Sequence, residues 1–395
     1  MNSIYIHIPF CQRRCGYCDF NTFSGQLSLL PKYTEALSRE IFLVAKNTSN
    51  HAPVHTIYFG GGTPSLLPLN AVQKIMHLLN DHFPILSDAE ISFEANPGTI
   101  SLPYLNGIRR LGINRISFGF QSTDPQILLS LDRKHDFFDM ARAYLWARQA
   151  GFRNISIDLI YGIPGQTLEK WKHTLELTAR FHPEHLSLYS LTIEPGTPIF
   201  KWWKRGLLPD FDEDLAADMY DLASDYLEKM GYQQYEISNW ALDSSSDVQF
   251  ACRHNIQYWR NLPYFGFGAG AHSSMGGFRM ENVHGIAEYI QKLMEPGDIV
   301  FPFSPANLCS GKIDDQTEME ETMMVGLRLT QEGVSSKAFF LRFNRHIESV
   351  FGREIDRLCS LGLLEWVDQN GEHVRLTLRG RLLGNQVFMQ FVGCQ

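Results

Sequence analysis

Through the first 230 residues the apolar positions change period again and again. Short runs rich in β-branched and aromatic residues, at 3–8, 54–59, 90–94, 115–120, 154–160 and 185–191, have the length and composition of strands. Between them, apolar residues recur at helical spacing over 32–45, 71–83, 102–111, 138–150, 168–180 and 214–230. Gly112, Gly151 and Gly231 each follow such a stretch, where a helix normally stops. Parallel strands need long right-handed crossovers, so repeated strand–helix units predict a parallel sheet with helices outside. Six units rather than the eight of a closed barrel predict an α/β fold, a partial (β/α)6 TIM-like barrel. In such folds the working residues lie at the C-terminal ends of the strands.

From Tyr235 the alternation fails. Ser244-Ser245-Ser246-Asp247 has turn composition, and residues 266–272, rich in glycine, predict a tight loop with close backbone approach. A compact unit follows, with helical patterns at 317–329, 336–342 and 347–361. A hairpin then joins 363–367 to 374–378 through an Asn370-Gly371 turn. Helices followed by a hairpin predict a smaller α+β, winged-helix-like C-terminal domain. The expected division is 1–234 for the barrel, 235–308 for a connecting segment and 309–395 for the C-terminal domain.

Composition narrows the partners. The chain has 395 residues with a net charge of -8, and no apolar run approaches the roughly 18 residues of a spanning helix. Residues 312–395 carry 10 Lys and Arg against 12 Asp and Glu, so the winged-helix-like unit has no basic excess for nucleic acid. The N-terminus lacks a basic segment followed by an apolar one, which predicts a cytoplasmic protein with reduced thiols.

Chemistry concentrates in one loop. Cys11, Cys15 and Cys18 follow the first strand with the spacing C-x3-C-x2-C. Three thiolates on a short loop suit three irons of a [4Fe-4S] cube and leave the fourth iron open. Zinc would ask for a fourth ligand, and only Cys252 or His254, far along the chain, stand as candidates. Seven cysteines, an odd number, argue against a disulfide framework. The other motifs fall at later strand ends. Gly60-Gly61-Gly62-Thr63-Pro64 follows the second strand, Glu94 ends the third and Gln121 follows the fourth. Asp158 lies near the end of the fifth, and Glu194-Pro195-Gly196 follows the sixth.

The cysteine triplet, with Tyr17 before its last member, resembles the radical S-adenosylmethionine (SAM) superfamily. Tyr5-Ile6-His7-Ile8-Pro9-Phe10-Cys11 and the glycine triplet resemble its coproporphyrinogen-dehydrogenase-like branch. That branch holds oxygen-independent coproporphyrinogen III dehydrogenases and HemW-type heme chaperones. The resemblance implies that the open iron binds the amino and carboxylate groups of SAM. One electron then cleaves SAM to methionine and a 5′-deoxyadenosyl radical. It also implies site residues. Tyr5 and Tyr17 would flank the cluster and the adenine. Gly61, Gly62 and Thr63 would meet the methionine end, and Glu94 the ammonium or ribose. Gln121, Arg133 and Asp158 would be further polar contacts. The implied electron donor is of flavodoxin or ferredoxin type.

Within the branch, three features favour the chaperones. The dehydrogenases carry a further cysteine two residues after the third, where this chain has Phe20. They also carry a sizeable segment before the cysteine loop, which begins here at Cys11. His254-Asn255-Ile256-Gln257-Tyr258-Trp259 matches the chaperones' H-N-x-x-Y-W signature. A neutral imidazole is a good axial ligand for heme iron, so His254 is the expected heme ligand. Tyr258 and Trp259 would pack on the porphyrin, with Cys252 and His272 as weaker candidate contacts. The implied function is a chaperone that passes heme to respiratory hemoproteins, with peripheral contact at the membrane that holds them. The alternative is oxidative decarboxylation of coproporphyrinogen III to protoporphyrinogen IX, and a third reading is radical chemistry on another substrate.

Overall fold

A computed structural model of the chain describes residues 1–48, 52–242, 250–295, 299–367 and 371–393. The turn expected at Ser244-Ser245-Ser246-Asp247, Asn370 of the expected hairpin turn, and Cys394 lie outside these residues. The chain forms two compact units: Met1–Asp225 with Pro263–Gly311, and Tyr226–Leu262 with Lys312–Gln395.

In the first unit six strands run parallel and neighbour one another in chain order. They are β1 (Asn2–Ile8), β2 (Val54–Gly61), β3 (Ile85–Ala95), β4 (Arg115–Gln121), β5 (Ile155–Tyr161) and β6 (His185–Ser190). Helices α1 (Leu30–Asn47), α2 (Leu69–His82), α3 (Leu102–Arg110), α4 (Phe137–Gln149) and α5 (Leu168–Ala179) lie in the connections. This is the α/β arrangement that the alternating pattern predicts. Each strand buries an apolar set, such as Ile4, Ile6 and Ile8 on β1 and Ile116, Phe118 and Phe120 on β4. The alternate positions are polar and bond across strands. Thr56 donates to Ser3 at 2.6 Å, Ser117 to Asp158 at 2.9 Å, and Ser156 shares a hydrogen bond with His185 at 2.8 Å. Parallel strands usually read as near-continuous aliphatic runs. Here one face of the sheet is apolar and the other is hydrogen-bonded.

The division of the chain differs from the three blocks expected. Residues 235–308 are not one connecting segment. Tyr264–Phe267 is a strand that pairs in parallel with β1, with Ser3 opposite Tyr264 and Ile6 opposite Phe267. It leads into the hairpin of His272–Met275 and Phe278–Asn282, and Asn307–Lys312 lies at the sheet edge. Gly266 and Phe267 are therefore strand residues rather than loop, and the loop is confined to 268–271. The cause is a partner strand at the other end of the sequence, which no local pattern displays.

The second unit contains the hairpin Tyr232–Glu236 and Asn239–Leu242, and the short helix Arg253–Trp259. Helices Asp315–Gly326, Ser336–Phe343 and Ile347–Ser360 pack around a three-stranded antiparallel sheet of Val334–Ser335, His373–Leu376 and Leu364–Trp366. Met323, Phe339, Phe351, Ile355, Val374 and Phe391 form its core.

One buried carboxylate holds the returning segment of the first unit. Glu40 of α1 accepts hydrogen bonds from the Gly268 amide (2.9 Å), Asn282 (2.8 Å), Tyr289 (2.5 Å) and Ser304 (2.6 Å). Four donors offset the cost of burying a carboxyl, although burial still pushes its pKa up. Glu40→Ala leaves those donors unpaired and should destabilise the chain by about 3 kcal/mol or more. It should also speed hydrogen exchange at the Gly268 amide. An unchanged denaturation midpoint with full protection at Gly268 would mean that the segment is held by other contacts.

Candidate functional site

The cysteine loop begins directly after β1. Phe10–Cys11 pairs in parallel with Phe23–Ser24, which pins the two ends of the loop together. Each sulfur meets a hydrogen-bonding group. Thr63 donates to Cys11 Sγ at 3.6 Å, Arg133 Nη1 donates to Cys15 Sγ at 3.7 Å, and Thr22 Oγ1 bonds Cys18 Sγ at 3.7 Å. Burial pushes the Cys11 thiol up, and the nearness of Cys18 and Cys15 adds to that, so three thiolates this close need positive charge to hold them. Among the described residues, no three His, Cys, Asp or Glu side chains converge on a single ion. A cube does not ask for that, since each thiolate binds a different iron and the sulfurs stay apart. Donors aimed at three clustered sulfurs therefore fit an iron–sulfur cube.

Beside the sulfurs lies the glycine triplet at the end of β2. Gly61 has φ +111°, and a Cβ there would lie 2.5 Å from the His7 ring. A Cβ on Gly62 would lie 2.6 Å from the Phe10 carbonyl oxygen. Both positions need glycine because the backbone runs against β1 and its exit toward Cys11. Glu94 ends β3 and clasps this turn. It accepts from Tyr58 OH at 2.8 Å and from the Gly61 amide at 3.2 Å. Loss of hydration raises its pKa to about 7, with a further push from Asp158. Tyr5 stacks on Tyr58 at 6.3 Å between ring centres and shares a 2.9 Å hydrogen bond with His7.

Later strands complete the rim. Arg133 Nη2 donates to the Gly119 carbonyl at 2.9 Å while Nη1 reaches Cys15. Gln121 has φ +69°, and its Oε1 is buried with no partner among the described residues; the same holds for Arg133 Nε. A strained residue and two unsatisfied buried atoms on one rim are what a ligand's polar groups would complete. Asp158 lies deeper, bonded to Ser117 and Ser156, and burial raises its pKa. Tyr17 packs with Trp202, Ile193 and Leu208 against an apolar cluster. The structure thus gathers Gly61, Gly62, Thr63, Glu94, Gln121 and Arg133 with the three cysteines on the strand-end rim of the first unit, while Tyr5 and Asp158 stand in mid-strand.

Three neighbours were not singled out from the sequence. His7 bonds Tyr5 on one side and the Asn21 carbonyl on the other at 2.9 Å, so it ties β1 to the far end of the cysteine loop. Burial lowers its pKa to about 4, which keeps it neutral. Tyr58 shares the face of Tyr5 and was legible from the two-residue period of β2. Trp202 sits against Gly16, whose missing Cβ would lie 2.9 Å from its ring. No local signal marks it.

The H-N-x-x-Y-W segment belongs to the second unit and folds as the helix Arg253–Trp259. His254 is 1% exposed, and its Nε2 shares a 3.0 Å hydrogen bond with Tyr258 OH. Trp259 lies under the Arg328 guanidinium, 4.4 Å from the ring centre. Cys252 is buried, and its amide donates to Tyr235 OH at 3.1 Å. His272, in the first unit, is half-exposed and lies 3.6 Å from Glu281.

Glu94 gives the rim a pH signature. Its carboxyl titrates near 4.5 when unfolded and about 7 when folded. Between those values the folded chain binds the extra proton, so this group removes stability as pH rises from about 4.5 to 7, by at most about 3 kcal/mol. Glu94→Gln should flatten that part of the stability–pH curve. Parallel curves for the two proteins in denaturant titrations would contradict the raised pKa.

Comparison with known proteins agrees with this geometry. Residues 5–178 match the radical SAM superfamily, and residues 313–383 match the HemN C-terminal domain. Over 395 residues the chain is 37% identical to "Heme chaperone HemW" of Bacillus subtilis, covering 100% of both chains. It is 33% identical to "Heme chaperone HemW" of Lactococcus lactis over 393 residues, covering 99% of this chain and 97% of that one. Coproporphyrinogen III oxidase (HemN) from Escherichia coli, a radical SAM enzyme, superposes with a TM-score of 0.83 at 26% identity, over 99% of this chain and 90% of that one. No helix of the described residues is long and apolar enough to cross a membrane. A full-length match to these relatives, on a radical SAM barrel with its three cysteines at the strand ends, makes this chain a member of the HemW family.

Proposed function

We propose that the chain is a heme chaperone that binds heme through His254 and hands it to acceptor hemoproteins. The observation that carries this reading is His254 itself. It stands in the H-N-x-x-Y-W segment of a chain that matches HemW chaperones from end to end. The acceptors we favour are respiratory hemoproteins at the membrane, served from the cytoplasm by peripheral contact.

The same reading gives the first unit a [4Fe-4S] cluster on Cys11, Cys15 and Cys18, with SAM beside it. When bound, the pair supplies one-electron reductive cleavage of SAM, with a flavodoxin or ferredoxin type of protein as donor. The chain's own residues prepare the place. Thr63, Arg133 and Thr22 direct hydrogen-bonding groups at the sulfurs, which spreads their negative charge. Ionised Glu94 would hold an ammonium, and the Gly61–Thr63 turn would meet the carboxylate end. Gln121 and Arg133 would use their unsatisfied atoms on the remaining polar groups. Tyr5 and Tyr17 would bracket the adenine and the cluster, and Asp158 would support the inner rim. The role assigned to this site is to regulate heme transfer.

A second reading has one observation in its favour. The chain superposes on a coproporphyrinogen III oxidase with a TM-score of 0.83. It would then decarboxylate coproporphyrinogen III rather than carry heme.

An anaerobic heme titration of the cluster-reconstituted protein separates the readings. Saturable one-to-one binding is expected, and His254→Ala should weaken it by roughly tenfold or more while the cluster absorbance stays as it was. Equal heme affinity in the variant would remove His254 as the ligand. Protoporphyrinogen IX from coproporphyrinogen III, formed together with 5′-deoxyadenosine, would establish the second reading instead.

A further inference from the structure

We infer that the short helix Pro198–Lys204 and the cysteine loop form one cationic face, and that this face receives a small acidic protein carrying a one-electron group. The inference rests on the cluster reading of Cys11, Cys15 and Cys18 and says where the electron arrives. Helix and loop touch within the first unit. The Ile199 amide donates to the Gly16 carbonyl at 2.9 Å, and the Trp202 ring lies where a Cβ on Gly16 would come within 2.9 Å of it. Tyr17 and Trp202 pack on the same apolar cluster. Ile199 and Trp202 are three residues apart, so they turn one side of the helix to the loop and leave Lys201 and Lys204 on the other. Both lysines are exposed, as is Arg205 at the end of the helix. On the loop Arg13 and Arg14 are exposed, and Cys15 and Cys18 are only partly buried. Two of the three cysteines therefore lie near a surface that carries these cations.

Charge on this face runs against that of the chain. Residues 11–20 and 198–205 hold five Lys and Arg against the single acid Asp19, while the whole chain has a net charge of -8. Arg13 is paired with Asp132 at 2.6 Å. Arg14, Lys201, Lys204 and Arg205 form no ion pair among the described residues. The acids that follow the helix are already engaged. Asp210 accepts from Trp203 Nε1 at 3.1 Å, and Asp212 accepts from the Leu215 amide at 2.9 Å. A face of uncompensated like charge steers an oppositely charged partner toward it before contact. An anionic membrane would also be drawn to cations, but an interfacial helix offers its aromatic side chains to the lipid. Here Trp202 is committed to the loop and Trp203 to Asp210. The solvent side is left to Lys201, Lys204 and Arg205, which suits an acidic protein. The step moves one electron and breaks no bond in this chain. A flavin hydroquinone anion in the partner loses one electron, keeps its ring proton and becomes a neutral radical. The same electron reduces the cluster by one unit of charge.

The test is stopped-flow reduction of the full-length, cluster-reconstituted protein by flavodoxin in its hydroquinone state, beside calorimetric titration with flavodoxin at low salt. Lys201→Glu, Lys204→Glu and Arg205→Glu together should weaken binding and slow the second-order reduction by roughly tenfold or more. The loss should shrink in high salt, which screens exposed charges. Dithionite needs no docking surface and should reduce the cluster to the same extent in both proteins. Lys46→Glu, Lys74→Glu and Arg110→Glu, at exposed positions on α1, α2 and α3, make the same change in net charge and should bind flavodoxin nearly as the wild type does. If the face variant fails to fold, Gln at its three positions keeps long polar side chains and should still weaken binding several-fold. Unchanged binding and reduction in the face variant, or no flavodoxin binding by the wild type, would overturn the inference. An equal loss in both triple variants would make the effect one of net charge and would overturn it too. Wild-type reduction by flavodoxin, beside lost binding to phosphatidylglycerol vesicles, would assign the face to a membrane instead. A wild-type chain in which dithionite reduces no cluster would remove the cluster reading and the docking role together.

Discussion

A parallel sheet that turns a polar face inward must satisfy that face from within. The alternate positions of β1 to β6 carry Ser3, Thr56, Glu90, Ser92, Arg115, Ser117, Ser156, Asp158, His185 and Ser187. Each is too polar to bury alone, since a buried hydroxyl or carboxylate without a partner costs more than the net gain of a typical hydrogen bond. Register supplies the partners. Ser117 lies opposite Ser156, and Asp158 opposite Ser187, so short side chains meet across neighbouring strands. A slip of one residue would swap this row for the isoleucines and phenylalanines that face the helices. The polar row and the apolar core thus enforce the same register. Several site positions continue that row toward the C-terminal ends of the strands. Glu94 stands two residues beyond Ser92, Gly119 two beyond Ser117, and Tyr5 two beyond Ser3.

That constraint explains what the sequence made legible. The six strands and the helices between them carried strong periodicity, because each element buries one face. The cysteine spacing and the glycine triplet were legible because both are local. Cys11, Cys15 and Cys18 share one loop, and Gly61 and Gly62 are required by a single close approach to β1. Glu94 and Gln121 were legible as strand-end residues, yet their partners were not, and Asp158, expected near a strand end, stands in the middle of β5. Nothing local told that Glu94 would clasp the Gly61 amide, or that Arg133 would reach Cys15.

What stayed hidden came from long-range pairing. Gly266 and Phe267 read as the start of the glycine-rich loop expected at 266–272, because glycine weakens any strand signal. Tyr264–Phe267 becomes a strand only because β1 offers it an edge. Glu40 was equally silent, since one glutamate in an amphipathic helix normally faces solvent. Its four donors come from positions 268 to 304, brought to α1 by the fold. Trp202 closes on Gly16 for the same reason. His7 lay inside a motif that was read for its resemblance, and its role as a tie between β1 and Asn21 needed coordinates.

The two chemistries also differ in how ready they are. In the first unit the sulfurs already have donors, the glycine turn is already clasped, and the unsatisfied atoms of Gln121 and Arg133 are those a polar ligand would complete. That is a preorganised site, where binding costs little reorganisation. In the second unit the residue expected to bind iron is buried and bonded to its own neighbour. Preorganisation suits a cofactor that stays, because every contact made in advance lowers the cost of holding it. A ring buried and already hydrogen-bonded must instead give up those contacts before it can bind anything else. The rim of the first unit and the buried His254 of the second therefore start from opposite states, one with polar atoms still to be satisfied and one with its ring covered.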